Sequence, residues 1–242
     1  MTKERTASLT LSHVTDFWRD STRREFMRVA CLGGTAVLLP SILAGCSDDD
    51  GGGGITDPPS NALIIDLNTD VGVLNYAYAL EQLEAAFYSQ VVQGFASSGL
   101  SAAEQTVLSD IRNHEVIHRD FLALVLVGAK IPDLAVDFSS VDFSDRVSIL
   151  RTAKAFEDVG VSAYNGAGRL LKDLNNLAVA GKIVSVEARH AAAIRDLLRP
   201  GTRDFAGDDV IDPASGLDIA NEPGQVLEGT ELFFTTPIRL VT

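Results

Sequence analysis

Two four-residue segments carry the same pair of side chains, Glu115-Val-Ile-His118 and Glu187-Ala-Arg-His190. On a helix, positions i and i+3 project from one face, so each segment offers a carboxylate and an imidazole together. A carboxylate can bridge two cations while an imidazole ligates one of them. Upstream stand two more glutamates, Glu81 in Ala79-Leu80-Glu81 and Glu157 in Ala155-Phe156-Glu157. Tyr88 lies seven residues after Glu81 and Tyr164 seven after Glu157, close to two helical turns, so each pair shares a face. The chain therefore reads as two related halves, each holding Glu, Tyr and then Glu-x-x-His. Six such groups inside a fold would be very costly if unpaired. Two divalent cations would offset the four carboxylate charges, and a carboxylate and imidazole set suits iron or manganese, whereas zinc more often takes a compact tetrahedral set.

The neighbouring residues leave alternatives open. Glu84, one turn beyond Glu81, competes with it as a ligand, but its counterpart in the second half is Gly160. Glu84, Tyr88 and Tyr164 are candidates for a supporting layer around the ligands, and the tyrosines also fit plain core packing with a satisfied hydroxyl. His114 has no partner in the second half and reads as a surface residue or a neighbour of the ligands.

Four helical stretches would position these groups. Apolar residues at Val73, Leu74, Ala77, Leu80, Leu83, Phe87 and Val91 recur with helical period and predict a helix over about 70–95. Ser101-Ala-Ala-Glu104 is a capping box that starts a second helix, and Gly128 is its natural stop. A third is expected from Asp142 or Ser144 to about Leu174, with Asn175-Asn176 as the break. The fourth is expected from about Leu177 to Arg199 before Pro200. The first link is about six residues, so helices one and two are antiparallel neighbours, and the near-absent last link makes the final pair antiparallel too. The middle link, about 129–141, could span roughly 40 Å at about 3.3 Å per residue, enough to cross a bundle, although it could also fold back as a loop.

The chain begins with a segment of another kind. Thr22-Arg23-Arg24-Glu25-Phe26-Met27-Arg28 looks like a twin-arginine export signal, followed by an interrupted apolar stretch to Leu43. Leu43-Ala44-Gly45-Cys46 looks like a lipobox, which makes residues 1–45 a removed signal and Cys46 a lipidation site. Residues 46–68 are then the lipidated cysteine and a flexible linker rich in Asp and Gly. With Cys31 in the signal and Cys46 lipidated, no cysteine remains for a disulfide. The remaining 197 residues hold 14 Lys/Arg against 29 Asp/Glu, a net charge near −15. So acidic a chain disfavours nucleic acid and anionic lipid as partners and is compatible with cations. The predicted location is the periplasm or cell surface, with the membrane met only through the lipid. No nucleotide-binding loop, Ser/His/Asp arrangement or zinc-type cysteine cluster appears in it. The tail, 201–242, is rich in Gly, Pro and Asp and reads as irregular structure with a strand or two packed on the bundle.

Residues 69–200 resemble the ferritin-like superfamily, including bacterioferritins and rubrerythrins. Leu74-Asn-Tyr-Ala-Tyr-Ala-Leu-Glu-Gln-Leu-Glu-Ala-Ala-Phe-Tyr88 is most similar to the first helix of its exported, desiccation-related branch. The resemblance implies an all-α, ferritin-like four-helix bundle with one long crossover, plus the irregular C-terminal extension. It implies two iron ions, or manganese, held by Glu81, Glu115, His118, Glu157, Glu187 and His190. The expected function is iron, oxygen or peroxide redox chemistry of the di-iron oxidase or peroxidase type, with a homodimer as one open assembly. The alternative is a non-catalytic envelope scaffold of the stress-response or desiccation type.

Overall fold

The structure, a computed structural model, describes residues 61–242. The twin-arginine segment, Cys46 and the tether as far as Ser60 lie outside the described residues. Among the described residues no helix is long and apolar enough to cross a membrane.

Four long helices make the bundle: α1 (Asp70–Gln93), α2 (Ala102–Leu126), α3 (Arg146–Gly168) and α4 (Leu174–Leu198). Thr69 caps α1, its hydroxyl accepting from the Gly72 amide at 3.0 Å. The capping box of α2 forms as its sequence requires: the Ser101 hydroxyl accepts from the Glu104 amide and the Glu104 carboxylate accepts from the Ser101 amide. Gly128 does not end α2. The chain leaves the helix one residue earlier, at Val127, which takes φ 43°.

Two helix limits differ from expectation. α3 ends at Gly168 rather than near Leu174, and α4 begins at Leu174, so Asn175 and Asn176 lie in its first turn. The reason is capping. Asp173 accepts from the Asn175 amide as N-cap of α4. Asp70, at the start of α1, accepts from the Lys172 and Asp173 amides and the Asn176 side chain. Carboxylates thus terminate the link that the asparagines were expected to break.

Contacts between helix ends establish the topology. α1 packs along α2 and α3 along α4, with α1 also touching α3 and α2 touching α4. Asn75, near the start of α1, donates to the Ala129 carbonyl and accepts from the Ile131 amide just past the end of α2. Arg146, at the start of α3, bonds Glu104 at the start of α2 and the Leu197 carbonyl at the end of α4. Residues 127–145 therefore travel from one end of the bundle to the other, which makes this link the long crossover. Gln82 ties it down midway, accepting from the Leu134 amide.

The covering by the crossover explains α1. Residues Gly72 to Ala85 are buried on every face, polar positions included, because α2, α3 and the crossover enclose the helix together. At one end, Phe87, Phe138, Phe143, Phe156 and Phe233 pack mostly edge-to-face, with centroids 4.8–6.3 Å apart.

The tail is more regular than its composition suggests. It contains helix α5 (Pro223–Thr230) and strand β2 (Ile238–Val241). β2 pairs in parallel with β1 (Leu63–Asp66), Leu63 opposite Ile238 and Asp66 opposite Val241. Residues 63–66, expected within the flexible linker, are thus part of the folded domain, held by backbone pairing that composition does not reveal.

Candidate metal centre

Each long helix contributes to one buried cluster at mid-bundle. Glu81 comes from α1, Glu115 and His118 from α2, Glu157 from α3, Glu187 and His190 from α4. All four carboxylates are fully buried. The arrangement has two halves. Around His118 Nδ1 lie Glu187 Oε1 at 2.8 Å and Glu81 Oε2 and Glu115 Oε2, each at 3.5 Å. Around His190 Nδ1 lie Glu115 Oε1 at 2.8 Å, Glu157 Oε2 at 3.4 Å and Glu187 Oε2 at 3.7 Å. Glu115 and Glu187 therefore turn one oxygen toward each imidazole, while Glu81 and Glu157 each serve one half.

The tyrosines complete the pattern by crossing over. Tyr88 donates to Glu157 Oε1 at 2.5 Å and Tyr164 to Glu81 Oε1 at 2.6 Å. Each tyrosine shares a helix face with its own glutamate but bonds the glutamate of the other half, because α1 and α3 run antiparallel. The bond takes the outer oxygen and leaves the inner one facing the centre.

The buried polar atoms of these residues converge on one centre. Glu81 Oε2, both oxygens of Glu115 and Glu187, Glu157 Oε2, and Nδ1 of His118 and His190 are buried, and apart from their ion-pair contacts with one another none makes a well-aligned hydrogen bond. Buried polar atoms are rarely left so. Eight lie in one place, on six residues from four helices. They divide into two four-residue sets, Glu81/Glu115/His118/Glu187 and Glu115/Glu157/Glu187/His190, each with ligand atoms within 4.8 Å of one another. Four carboxylates, two imidazoles and two divalent cations would be neutral together. The donor set fits.

Without cations, protons must do this work, and the titration of the cluster shows it. Burial pushes the Glu81 carboxyl up to about 8 against the opposing pull of His118. Burial likewise holds Glu157 and Glu84 well above the usual carboxylate range. Burial also raises Glu187, but the two imidazoles beside it, His118 and His190, outweigh it and bring that group down to about 2. His190 is pushed up to about 12: burial works against its charged form, and Glu115, Glu157 and Glu187 overcome it.

A family model for the ferritin-like domain matches residues 69–200. The chain belongs to the ferritin-like family. Among curated proteins none matches this ferritin-like chain. The family commonly binds iron.

Two residues of the ferritin-like centre were harder to read from sequence. His114 stacks on His190, rings 5.1 Å apart and 5° from parallel, with its Nδ1 2.9 Å from His190 Nε2. It thus supports the imidazole edge that faces away from the carboxylates. The available signal was its position one turn before His118. Glu84 is buried beside the four carboxylates, where burial and their neighbouring charges hold its carboxyl well above the usual range. A Cβ on Gly160 would lie 2.9 Å from Glu84 Oε1 and 3.7 Å from Glu187 Oε2. The glycine opposite Glu84 in the repeat is what gives its carboxyl room.

Proposed function

We propose that this ferritin-like protein is an exported oxidoreductase whose buried centre holds two iron ions, with manganese as the competing metal. Glu81, Glu115, His118, Glu157, Glu187 and His190 are its ligands. The observation that carries this reading is the set of eight buried carboxylate and imidazole atoms, none in a well-aligned hydrogen bond, converging from all four helices.

When bound, two iron(II) ions supply the two electrons needed to reduce dioxygen or peroxide. The protein does the rest by placement. Glu115 and Glu187 span the two half-sites, and His118 and His190 each face one. Tyr88 and Tyr164 hold the outer oxygens of Glu157 and Glu81, which fixes the inner ones in a water-poor interior. Glu84, seated against Gly160, adds a fifth carboxyl beside the ligands.

Export rests on the twin-arginine segment and the lipobox at Cys46, and the twin-arginine route carries proteins already folded, which suits a cofactor loaded inside the cell. A lipid on every subunit is incompatible with a closed storage shell, so the reading is local redox chemistry rather than bulk iron storage.

Metal analysis tests it. The purified protein should carry about two irons or manganeses per chain, as the two half-sites require, and Glu115→Ala with His190→Ala should lose them while remaining helical. A well-folded protein that takes up no metal under anaerobic iron(II) would overturn the reading and favour a non-catalytic scaffold.

A further inference from the structure

The polar centre has an apolar neighbour. A cavity of about 20 Å³ lies between α1, α3 and α4, with Tyr76, Ala77, Leu80, Tyr164, Ala167 and Ala180 among its walls. Tyr164 belongs to both places: it is one of the cavity's walls and its hydroxyl holds Glu81 Oε1 at 2.6 Å. A single residue therefore links this cavity to a proposed ligand.

Size and chemistry select an occupant. A single water needs roughly 10–15 Å³ by the same kind of measure, together with two to four polar partners. The cavity has the volume but not the partners. Its walls are almost entirely apolar, and the only unpartnered polar atom among those wall residues is the buried Tyr76 hydroxyl. A water or peroxide molecule would find little but the Tyr76 hydroxyl to bond on these walls, whereas an apolar diatomic molecule needs no such partner. We propose that this cavity is a docking place for dioxygen, from which it reaches the centre past Tyr164, and that peroxide arrives by another way. This inference rests on the redox reading above only in what happens after docking; occupancy of the cavity does not depend on metal.

Two measurements on the full protein test it. Crystals of metal-free protein under xenon should show the gas against Leu80 and Ala167, and the gas should be displaced in Ala77→Leu. Iron(II)-loaded Ala77→Leu should be oxidised by dioxygen roughly ten-fold more slowly than the parent, with iron stoichiometry and the rate with peroxide unchanged. Absence of xenon from the parent would overturn the proposal. So would a folded Ala77→Leu that reacts with dioxygen at the parent rate, or one slowed equally with both oxidants, which would mean a disturbed centre. Should Ala77→Leu fail to fold, Ala180→Met closes the same cavity from α4 and is judged by the same two readouts. A parent that binds xenon but no iron would retain the cavity and refute the redox reading alone.

Discussion

At the scale of single residues, the centre is a set of charges that the fold can hold only with counter-charges, and its acid–base behaviour follows. Glu81 is raised from 4.5 to about 8, so the folded state binds a proton that the unfolded chain has released. That contribution is complete below about pH 4.5 and is lost as pH rises through 8. Glu157 acts with the same sign, and the depressed Glu187 acts only well below this window. The metal-free protein should therefore melt progressively lower between pH 5 and 8, while iron- or manganese-loaded protein stays nearly level; scanning calorimetry with and without metal measures both. Metal loading at pH 7 should release protons, detectable in weakly buffered solution. Tyr164→Phe leaves Glu81 Oε1 buried without its donor and should cost about 1–3 kcal/mol of stability, read from denaturant melts. Much of this centre was legible. The repeated Glu-x-x-His and the upstream glutamates are distinctive because each half predicts the other. Where the halves differ, reading was harder. Gly160 opposite Glu84 looked like a reason to discount Glu84; in three dimensions the missing side chain is the space Glu84 occupies. His114 has no counterpart at all, and its stacking partner is 76 residues away.

At the scale of elements, polar side chains at helix ends decide where each helix begins and what it touches. Asp70 accepts hydrogen bonds from a link a hundred residues on, which is why residues 169–173 leave the helix although their own composition does not demand it. Long-range capping of this kind leaves no local pattern, and the ends of α3 and α4 were misplaced for that reason. Arg195 does similar work on the other side. Its guanidinium is 1 % exposed and pairs with both Asp158 and Asp209 while donating to the Asp204 carbonyl. It joins α3, α4 and the beginning of the tail. Arg195→Ala should cost about 3 kcal/mol, the low end for a buried pair because Asp209 is half exposed; thermal melts of the variant, compared with Arg195→Lys, would measure it. Gly166 is the matching contact further along. A Cβ there would lie 1.8 Å from the Asn221 carbonyl oxygen, and Asn221 bonds Ser162 through both backbone and side chain. Gly166→Ala should lift residues 219–222 from α3 and lower stability by about 1–3 kcal/mol, with faster amide exchange confined to that segment.

At the scale of the whole domain, the bundle supplies all six proposed ligands and the tail supplies none, yet the tail holds the outside together. It bonds α3 through Asn221, places Phe233 against Phe156, bridges Val136 of the crossover at Phe234, and finishes as β2 on β1. The helical bundle and its middle crossover were readable because helix period and link length are local quantities. The β1–β2 pairing was not, since it joins residues 63–66 to 238–241 and neither strand announces its partner. The pairing also orders events in time. β2 follows every other described element in chain order, so the strand that closes the domain is made after them, and its partner β1 has waited through all four long helices. Helix pairs with short links can form early, but this pairing closes a very long loop and belongs to the slow end of folding. A ribosome that stops before residue 238 would release a chain with every proposed ligand in place and its outer seam open.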